Sequence, residues 1–190
     1  MRSARVLSNI LLSVGAGCVV VPLLWMGYTT WHVGPIQTAA LAAWEQQAPS
    51  VNREGFVLAI PRLGLKRYVP EGATYGQLRR YGVGRITWTA LPDRVGIVGI
   101  AGHRTTYGAP FLRLDRLTRG DLIHIDYAGK RFAYAVTDRR VLTPNQIEVL
   151  RGSPGQRSVA LVTCTPPYSA AYRLVILGNL QNVSRLSSTQ

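Results

Sequence analysis

Ser158-Val-Ala-Leu-Val-Thr-Cys-Thr-Pro166 is an apolar run that leads directly into Cys164, the one cysteine outside the N-terminal apolar segment. Nine residues later Arg173 opens a second apolar run, and sixty-one residues before the cysteine His103 ends the run 96–102. Short apolar runs bounded by turn residues are typical of β-strands. A thiol, an imidazole and a guanidinium therefore stand at the ends of strand-like segments, which is the arrangement that cysteine acyl transfer needs. A buried structural cysteine is the alternative that Cys164 alone leaves open.

From residue 55 onward, short apolar runs are separated by Gly, Pro and Asp at intervals of about ten residues, which predicts a small antiparallel β-barrel or sandwich. Helical signals are short. We expect Thr74 to cap a helix over 75–80, and Thr143-Pro144 to open a helix that ends at Leu150. The predicted strands are 56–60, 66–69, 96–101, 121–127, 131–137, 158–162 and 173–177.

The N-terminal segment predicts membrane insertion. Residues 6–44 contain no Asp, Glu, Lys or Arg, and 10–28 are long enough to cross a hydrocarbon layer of roughly 30 Å as a helix. Arg2 and Arg5 precede this span, so the positive-inside tendency predicts a cytoplasmic N-terminus and an exported remainder. A cleavable signal peptide is an alternative, although the small-x-small site at 40–42 lies far beyond the apolar core, and a buried soluble helix is a third.

Composition limits the partners. The chain of 190 residues fits one domain and carries a formal net charge of +13, but its arginines are scattered rather than collected in a run with interleaved aromatic residues. We therefore expect no nucleic acid partner; anionic wall polymers or lipid headgroups suit an exported basic domain better. The three histidines and two cysteines lack the close spacing of a zinc site, and no calcium-loop motif occurs, so no metal is expected. A calcium site assembled from separate loops stays open.

The chemistry of the three polar residues suggests their roles. A thiolate is the reactive form of cysteine, and it needs a nearby base or cation, which His103 supplies in either protonation state. When Cys164 attacks a carbonyl, negative charge develops on the oxygen. Arg173 stays charged and carries five donors, so it suits that oxyanion.

Four motifs stand in order along the chain: Ile-Ala-Gly-His-Arg-Thr-Thr-Tyr-Gly-Ala-Pro-Phe at 100–111, Leu-Thr-Arg-Gly-Asp at 117–121, Val-Thr-Cys-Thr-Pro at 162–166 and Tyr-Arg-Leu-Val at 172–175. Together they resemble those of sortases, the Gram-positive cell-surface transpeptidases, over residues 56–180. The resemblance implies a mainly β fold, a closed eight-stranded barrel with short helices, preceded here by a transmembrane helix, and no cofactor. It also implies that Cys164 is the nucleophile, His103 the proton donor to the leaving amine, and Arg173 the clamp on the oxyanion and the substrate backbone.

The resemblance implies a function and a cellular location. A sorting signal near the C-terminus of an exported protein is cut after Thr, a thioacyl intermediate forms, and in most members an amine of a peptidoglycan precursor resolves it. With the N-terminal span, the resemblance implies a single-pass enzyme of the cell membrane with an extracellular catalytic domain. Pilin polymerisation or hydrolysis at the same site are alternatives, but no insertion resembles the lid that pilus sortases often carry. A non-catalytic, membrane-tethered barrel that binds a partner, with an inert buried Cys164, is the alternative from another class.

Residues 101–111 are most similar to class E sortases, which usually prefer Leu-Ala-x-Thr-Gly to Leu-Pro-x-Thr-Gly. One stretch departs from class E. Gly-Arg-Ile-Thr-Trp at 84–88 precedes Thr-Ala-Leu-Pro at 89–92, where class E members have Gly-His-Tyr-Pro-Gly. Ile86 stands in the place of the tyrosine that is thought to read the second signal residue, and an aliphatic residue there resembles class D. The preference for Ala or Pro at that signal position is therefore open.

Five residues are candidates for substrate binding. Thr163 either lends its hydroxyl or backbone to the oxyanion or is an ordinary strand residue, and Ile86 is expected to face the second signal residue because it stands in the place of the class E tyrosine. Trp88 is either an exposed groove aromatic or a core residue. Arg104 and Tyr107, which follow the histidine, either shape the groove or pack beside it.

The expected domain organisation has five parts. They are a cytoplasmic N-terminus at 1–9, a transmembrane signal anchor at 10–28, an extracellular stalk at 29–54, a sortase catalytic domain at 55–181 and a flexible tail at 182–190.

Overall fold

The structure, a computed structural model, describes residues 2–46, 55–152 and 155–186. Within these ranges, eight strands form one sheet and two α-helices accompany it. Short 3-10 helices cover Pro61–Leu63, Leu114–Arg116 and Glu148–Arg151. The helices are α1 Arg2–Gln46 and α2 Tyr75–Tyr81; the strands are β1 Phe56–Ile60, β2 Leu65–Val69, β3 Val83–Arg85, β4 Gly96–Gly102, β5 Leu122–Tyr127, β6 Lys130–Leu142, β7 Arg157–Thr165 and β8 Tyr172–Arg185.

The sheet curls into a nearly closed barrel. Its strand order is β2-β1-β5-β6-β8-β7-β4-β3, and neighbouring strands are antiparallel except for β4 and β7, which are parallel. The two edge strands are joined through a parallel bridge between Glu71 and Arg85. The Arg85 side chain is buried and donates from Nε to Glu71 Oε2 at 2.6 Å. A forked ion pair thus closes the seam that the sheet ladder leaves open.

The core follows from alternation along the strands. In β1, Phe56, Leu58 and Ile60 belong to the main cluster inside the barrel. In β7, Val159 and Leu161 belong to the same cluster, whereas Ala160 and Val162 pack in a second cluster on the other face of the sheet. Burial on both faces explains why the sequence shows continuous apolar runs. The largest fully buried side chains are Tyr134, Phe56, Phe111, Phe132, Leu58, Ile60, Ile100, Leu114, Ile123, Ile125, Leu161 and Ile176.

All the predicted strands are present, several of them longer than expected, and the expected barrel is confirmed. Strand β3 was not predicted, because Val83–Arg85 is too short to show an apolar pattern. The helix α2 is also confirmed, and the hydroxyl of Thr74 accepts from Gln77 N at 3.4 Å as its cap.

The helix expected over 143–150 is wrong in extent. Only Glu148–Arg151 is helical, in a 3-10 conformation. The backbone N–H and the hydroxyl of Thr143 both donate to Gln146 Oε1, at 2.8 and 3.0 Å. The glutamine side chain thus binds the residue that was expected to cap the helix, and the segment forms a turn instead.

The N-terminal helix is longer than the expected span. Beyond the predicted anchor, α1 continues to Gln46 because its later turns pack on the barrel, where Val33 and Gln37 are buried. The Gln37 side-chain amide donates to the carbonyls of Tyr68 (3.0 Å) and Tyr81 (2.7 Å), and its oxygen accepts from Tyr68 N at 2.9 Å. The first part of the predicted stalk is therefore a docked helix; residues 47–54 lie outside the described residues.

Among the described residues, α1 is the one helix long and apolar enough to cross a membrane, and it lies near the N-terminus. Its most apolar window is not buried in the protein, which contradicts the alternative of a buried soluble helix. At the other end of the chain, β8 continues to Arg185, which pairs with Lys130. Residues 182–185 are therefore strand rather than tail, and 187–190 lie outside the described residues.

Candidate active site

The hairpin of β7 and β8 places Cys164 directly opposite Arg173, as Cα partners in the antiparallel register. Opposite residues of such a pair present their side chains on one face, with Cβ atoms about 4.5–5.5 Å apart. The preceding same-face pair is Val162 with Val175. A thiol and a guanidinium therefore lie side by side at the end of an apolar strip.

The parallel pairing of β4 with β7 brings His103 to the same edge of the barrel. Strands β4 and β7 run in the same direction, and Ala101 is the partner of Val162. Two residues further on, His103 and Cys164 extend past this last pair from adjacent strands. The backbone of His103 is held on both sides, since its N–H donates to Gly82 O (2.9 Å) and its carbonyl accepts from Phe111 N (3.1 Å). The fold thus brings the three predicted catalytic residues to one edge.

The imidazole of His103 is half-buried beside two residues of the following loop. Its ring lies 4.7 Å from the ring of Tyr107, centroid to centroid, and Nδ1 lies 3.4 Å from Thr106 Oγ1. Nε2 is buried and has no hydrogen-bond partner among the described residues. Burial lowers the pKa of His103, which favours the neutral ring in the free protein. An unpartnered ring nitrogen at this edge is suited to meet the thiol or an incoming group.

Arg104 joins the loop after the histidine to the strand end after the cysteine. Its buried guanidinium donates from Nη1 to Thr165 Oγ1 at 2.8 Å and to Cys164 O at 3.4 Å. From Nη2 it donates to Asp115 Oδ1 at 2.9 Å. Of the two roles considered for Arg104, the structure supports packing beside the groove. No local sequence motif marks Asp115, and its contact with Arg104 depends on tertiary structure, so Asp115 was not predicted as a site residue.

The hydroxyl group of Thr163 already donates a hydrogen bond within the barrel. Its side chain is buried, and Oγ1 donates to Gly102 O at 2.7 Å, across from β7 to β4. This bond occupies the hydroxyl proton that was considered for the oxyanion, so only the backbone of Thr163 is left for that role. The bond also fixes the spacing between the strand that precedes His103 and the strand that carries Cys164.

The Arg173 side chain is half-buried, and its two hydrogen bonds leave further N–H donors of the guanidinium unused. Nη1 donates to the carbonyls of Ala170 (2.9 Å) and Tyr172 (3.1 Å), and no carboxylate pairs with the guanidinium in the ranges 2–46, 55–152 and 155–186. These two bonds orient the fork without neutralising it. The remaining N–H groups can bind an anionic oxygen beside Cys164.

The apolar strip next to the thiol includes Ile86. This side chain packs with a second hydrophobic cluster, and its N–H donates to Gly99 O at 2.9 Å. A Cβ at residue 99 would lie 2.9 Å from Thr89 Cγ2 and 3.2 Å from Ile86 Cδ1, so glycine there makes room for both side chains. Trp88 is 56% exposed, which excludes the core position considered for it. The other members of the cluster are Ile97, Leu142, Val149, Leu150, Ala160, Val162, Val175 and Leu177.

No group of three or more His, Cys, Asp or Glu side chains that could hold a metal ion occurs among the described residues.

The family profile described as sortase domain matches residues 58–181, which include all of these groups. The chain belongs to the sortase family. Sortase SrtE1 of Streptomyces coelicolor is 29% identical over 94% of this chain, and the chain spans 57% of that relative's length. The structure of sortase E1 from S. coelicolor, with a tripeptide in its active site, covers 75% of this chain and 97% of that one at 30% identity (TM-score 0.67).

Two further sortase structures are similar. A Clostridium perfringens sortase D5 transpeptidase covers 78% of this chain and all of its own at 23% identity (TM-score 0.68), which supports the fold. A pilus-related sortase C of group B Streptococcus covers 70% of both chains at 26% identity (TM-score 0.65). The resemblance to class E sortases is confirmed, and the class D and class C structures share the fold.

Proposed function

We propose that this sortase is a membrane-anchored cysteine transpeptidase that attaches exported proteins to the cell wall. It cleaves a Leu-Ala/Pro-x-Thr-Gly-type sorting signal after Thr and transfers the protein to an amine of a peptidoglycan precursor. The observation that carries the proposal is the pairing of Cys164 with Arg173, with His103 at the same edge, inside a sortase domain.

The reactive form has a thiolate on Cys164 and an imidazolium on His103, so one proton has moved from sulfur to nitrogen. The thiolate attacks the carbonyl carbon of the signal's Thr, and the carbonyl electrons move to the oxygen, where Arg173 donates. The intermediate collapses and breaks the C–N bond to Gly. The leaving nitrogen takes the proton from His103, which leaves a thioester on Sγ and a neutral imidazole.

The second half reverses these roles. An amine attacks the thioester carbonyl, and His103 removes a proton from the attacking nitrogen. The C–S bond then breaks, an amide forms, and the thiolate and imidazolium are restored. Water in place of the amine would give hydrolysis, so the outcome depends on which nucleophile reaches the thioester first.

Substrate binding is proposed for the face that carries the thiol. The apolar strip of Ile86, Val162 and Val175 leads to Cys164, and it suits the aliphatic side chains of a sorting signal. Ile86 contacts the second signal residue, exposed Trp88 borders the strip, and Tyr107 lies on the histidine side. A tripeptide in the active site of S. coelicolor sortase E1 supports a peptide ligand for this edge.

The location follows from α1. The span 10–28 holds the chain in the cytoplasmic membrane, with residues 1–9 inside and the sortase domain outside the cell. An apolar helix near the N-terminus, preceded by Arg2 and Arg5, supports this orientation. Its partners are exported proteins with C-terminal sorting signals and the amine-bearing peptidoglycan precursor.

Mass spectrometry of the full chain in detergent tests the function. The protein is mixed with Leu-Ala-x-Thr-Gly and Leu-Pro-x-Thr-Gly peptides, with and without a small amine. We expect a thioacyl adduct on Cys164 and an amine-capped product, both absent from Cys164→Ala. His103→Ala should lose at least about a hundredfold in rate.

The other outcomes separate the alternatives. Cleavage without an amine-capped product at any amine concentration would indicate a hydrolase. Transfer to a lysine-bearing pilin peptide, in preference to a peptidoglycan-like amine, would indicate pilin polymerisation. A Cys164 that forms no adduct and resists alkylation would indicate a binding module.

A further inference from the structure

A groove of about 540 Å³ lies between α1 and α2, on the histidine side of the active site. The helix α1 contributes Trp25, Tyr28 and His32 to its wall. The opposite wall is formed by Arg79 and Arg80 of α2, and by Tyr107. We call this the interhelical groove. None of Cys164, His103 or Arg173 lines this groove, and Tyr107 is the residue that it shares with the proposed peptide-binding face.

The depth of the groove relative to a membrane follows from the length of α1. If residues 10–28 cross the membrane, their helix is about 28 Å long, close to the hydrocarbon thickness of roughly 30 Å. Trp25, Tyr28 and His32 then lie at the outer interface, where aromatic residues are enriched. The interhelical groove opens at the level of the lipid headgroups.

The charge of the groove is unbalanced. Arg79 and Arg80 are exposed, no acidic side chain lines the groove, and in the described part of the chain neither arginine pairs with a carboxylate. Aromatic rings hold both guanidinium groups, since Arg79 lies 5.4 Å from the Tyr75 ring and 5.7 Å from the Tyr107 ring, while Arg80 lies 5.4 Å from the Tyr81 ring. Two oriented, uncompensated guanidinium groups favour a phosphate, which each can bind through two N–H donors.

We infer that the interhelical groove binds the phosphate headgroup of an anionic phospholipid from the outer leaflet. Arg79 and Arg80 hold the phosphate, and the acyl chains run along the exposed apolar side chains of α1. The inference rests on the proposed membrane anchoring of α1. Because Tyr107 also lies against the His103 ring, the lipid contacts the loop that follows the catalytic histidine.

Native mass spectrometry of the full chain in a mild non-ionic detergent tests the site. Phosphatidylglycerol and phosphatidylcholine with identical acyl chains are titrated separately. We expect one phosphatidylglycerol to be retained about tenfold more tightly than phosphatidylcholine, and Arg79→Gln/Arg80→Gln to lose this preference. Arg79→Lys/Arg80→Lys should keep part of it, since charge remains without the fork. Equal retention of the two lipids would overturn the inference.

A matched control removes two arginines elsewhere. Arg119→Gln/Arg151→Gln changes the net charge equally at exposed positions outside the groove, and it should leave lipid retention unchanged. An equal loss in this control would show that net charge alone attracts the lipid. Displacement of phosphatidylglycerol by millimolar inorganic phosphate would indicate a free-anion site instead.

Two separate assays keep the proposals apart. Resistance of the full chain to alkaline carbonate extraction reports membrane anchoring, and cleavage of a soluble sorting peptide in detergent reports the transpeptidase. Specific lipid retention without peptide cleavage would support the groove and contradict the proposed function. Peptide cleavage without lipid selectivity would support the proposed function and contradict the lipid site in the interhelical groove.

Discussion

Arg104 donates from Nη1 to Thr165 Oγ1 at 2.8 Å, which directly joins the residue after His103 to the residue after Cys164. The second prong of the same guanidinium reaches Asp115 Oδ1 at 2.9 Å. The loop and the strand end that carry the two reactive groups are therefore held by one buried side chain. A guanidinium suits this task because its donors diverge in a fixed plane.

Arg104→Lys should lower kcat about tenfold with little change in KM, because one ammonium group cannot hold Thr165 and Asp115 together. The free energy of unfolding should fall by about 1.5–3 kcal/mol, the scale of a hydrogen bond to a charged group. Steady-state kinetics and urea denaturation measure the two effects, with the exposed Arg113→Lys as control. A raised KM at unchanged kcat would instead show that Arg104 contacts the substrate.

Thr163→Val should destabilise the fold by about 1–2 kcal/mol, because Gly102 O loses its buried hydroxyl donor while strand propensity and volume are kept. Thr163→Ser retains the hydroxyl and should recover most of the loss. Chemical denaturation of the three proteins measures the difference. If Thr163→Val were as stable as the parent, the bond to Gly102 would not fix the spacing of β4 and β7.

Arg173→Lys and Arg173→Ala should both lose about a hundredfold or more in kcat, because neither restores the planar fork beside the oxyanion. The structural bonds of Arg173 go only to the nearby Ala170 and Tyr172 carbonyls, so we expect little loss of stability. Single-turnover rates of acylation measure the effect. Arg185→Lys, at an exposed position of the same strand, is the control; full activity in Arg173→Ala would refute the oxyanion role.

Seven of the eight described strands and the three candidate catalytic residues are predictable from the sequence because their signals are local. A short apolar run bounded by turn residues indicates a strand, and Cys164, His103 and Arg173 each stand at one end of such a run. The register of β4, β7 and β8 brings the three residues together. No sequence pattern specifies this register, so their proximity is predicted only by the resemblance to sortases.

The missed features depend on contacts between segments far apart in sequence. Asp115 lies in a short 3-10 helix with no motif, and its partner Arg104 was considered as a groove residue. Gln37 follows an apolar span and is a polar residue that no sequence rule would place in a buried contact. Its three bonds to Tyr68 and Tyr81 explain why α1 continues as a docked helix beyond the predicted anchor.

Gln37→Leu should loosen α1 from the barrel, because the Tyr68 and Tyr81 backbone groups lose their side-chain partners. We expect faster amide hydrogen exchange over 29–46 and 65–69, and a loss of about 1–3 kcal/mol in the free energy of unfolding. Thr38→Leu, on the exposed neighbouring position, should change neither. Unaltered exchange in Gln37→Leu would show that Val33 and the other apolar contacts hold the helix without it.

The His103 imidazole should titrate below its ordinary pKa of about 6.5, because burial penalises the cation. As the pH falls through about 6.5, the unfolded chain takes up a proton before the folded one does, so stability falls with decreasing pH until the folded pKa is passed. NMR titration in the Cys164→Ala variant, which removes coupling to the thiol, measures the midpoint; a value at or above 6.5 would contradict the prediction.

His103 should also contribute to the pH dependence of the free energy of unfolding. His103→Gln should flatten this pH dependence between about 6.5 and the lower pKa of the folded state, because the titrating group is gone. The pKa of His124 is also lowered, first by burial and then by Arg131, so adding His124→Gln to His103→Gln should flatten the pH dependence further.

A free His103 that favours the neutral ring implies that the imidazolium needed for proton donation forms together with the Cys164 thiolate. The acylation rate should therefore follow a bell-shaped pH profile whose two limbs belong to the pair and not to either residue, which single-turnover acylation measured across pH would check.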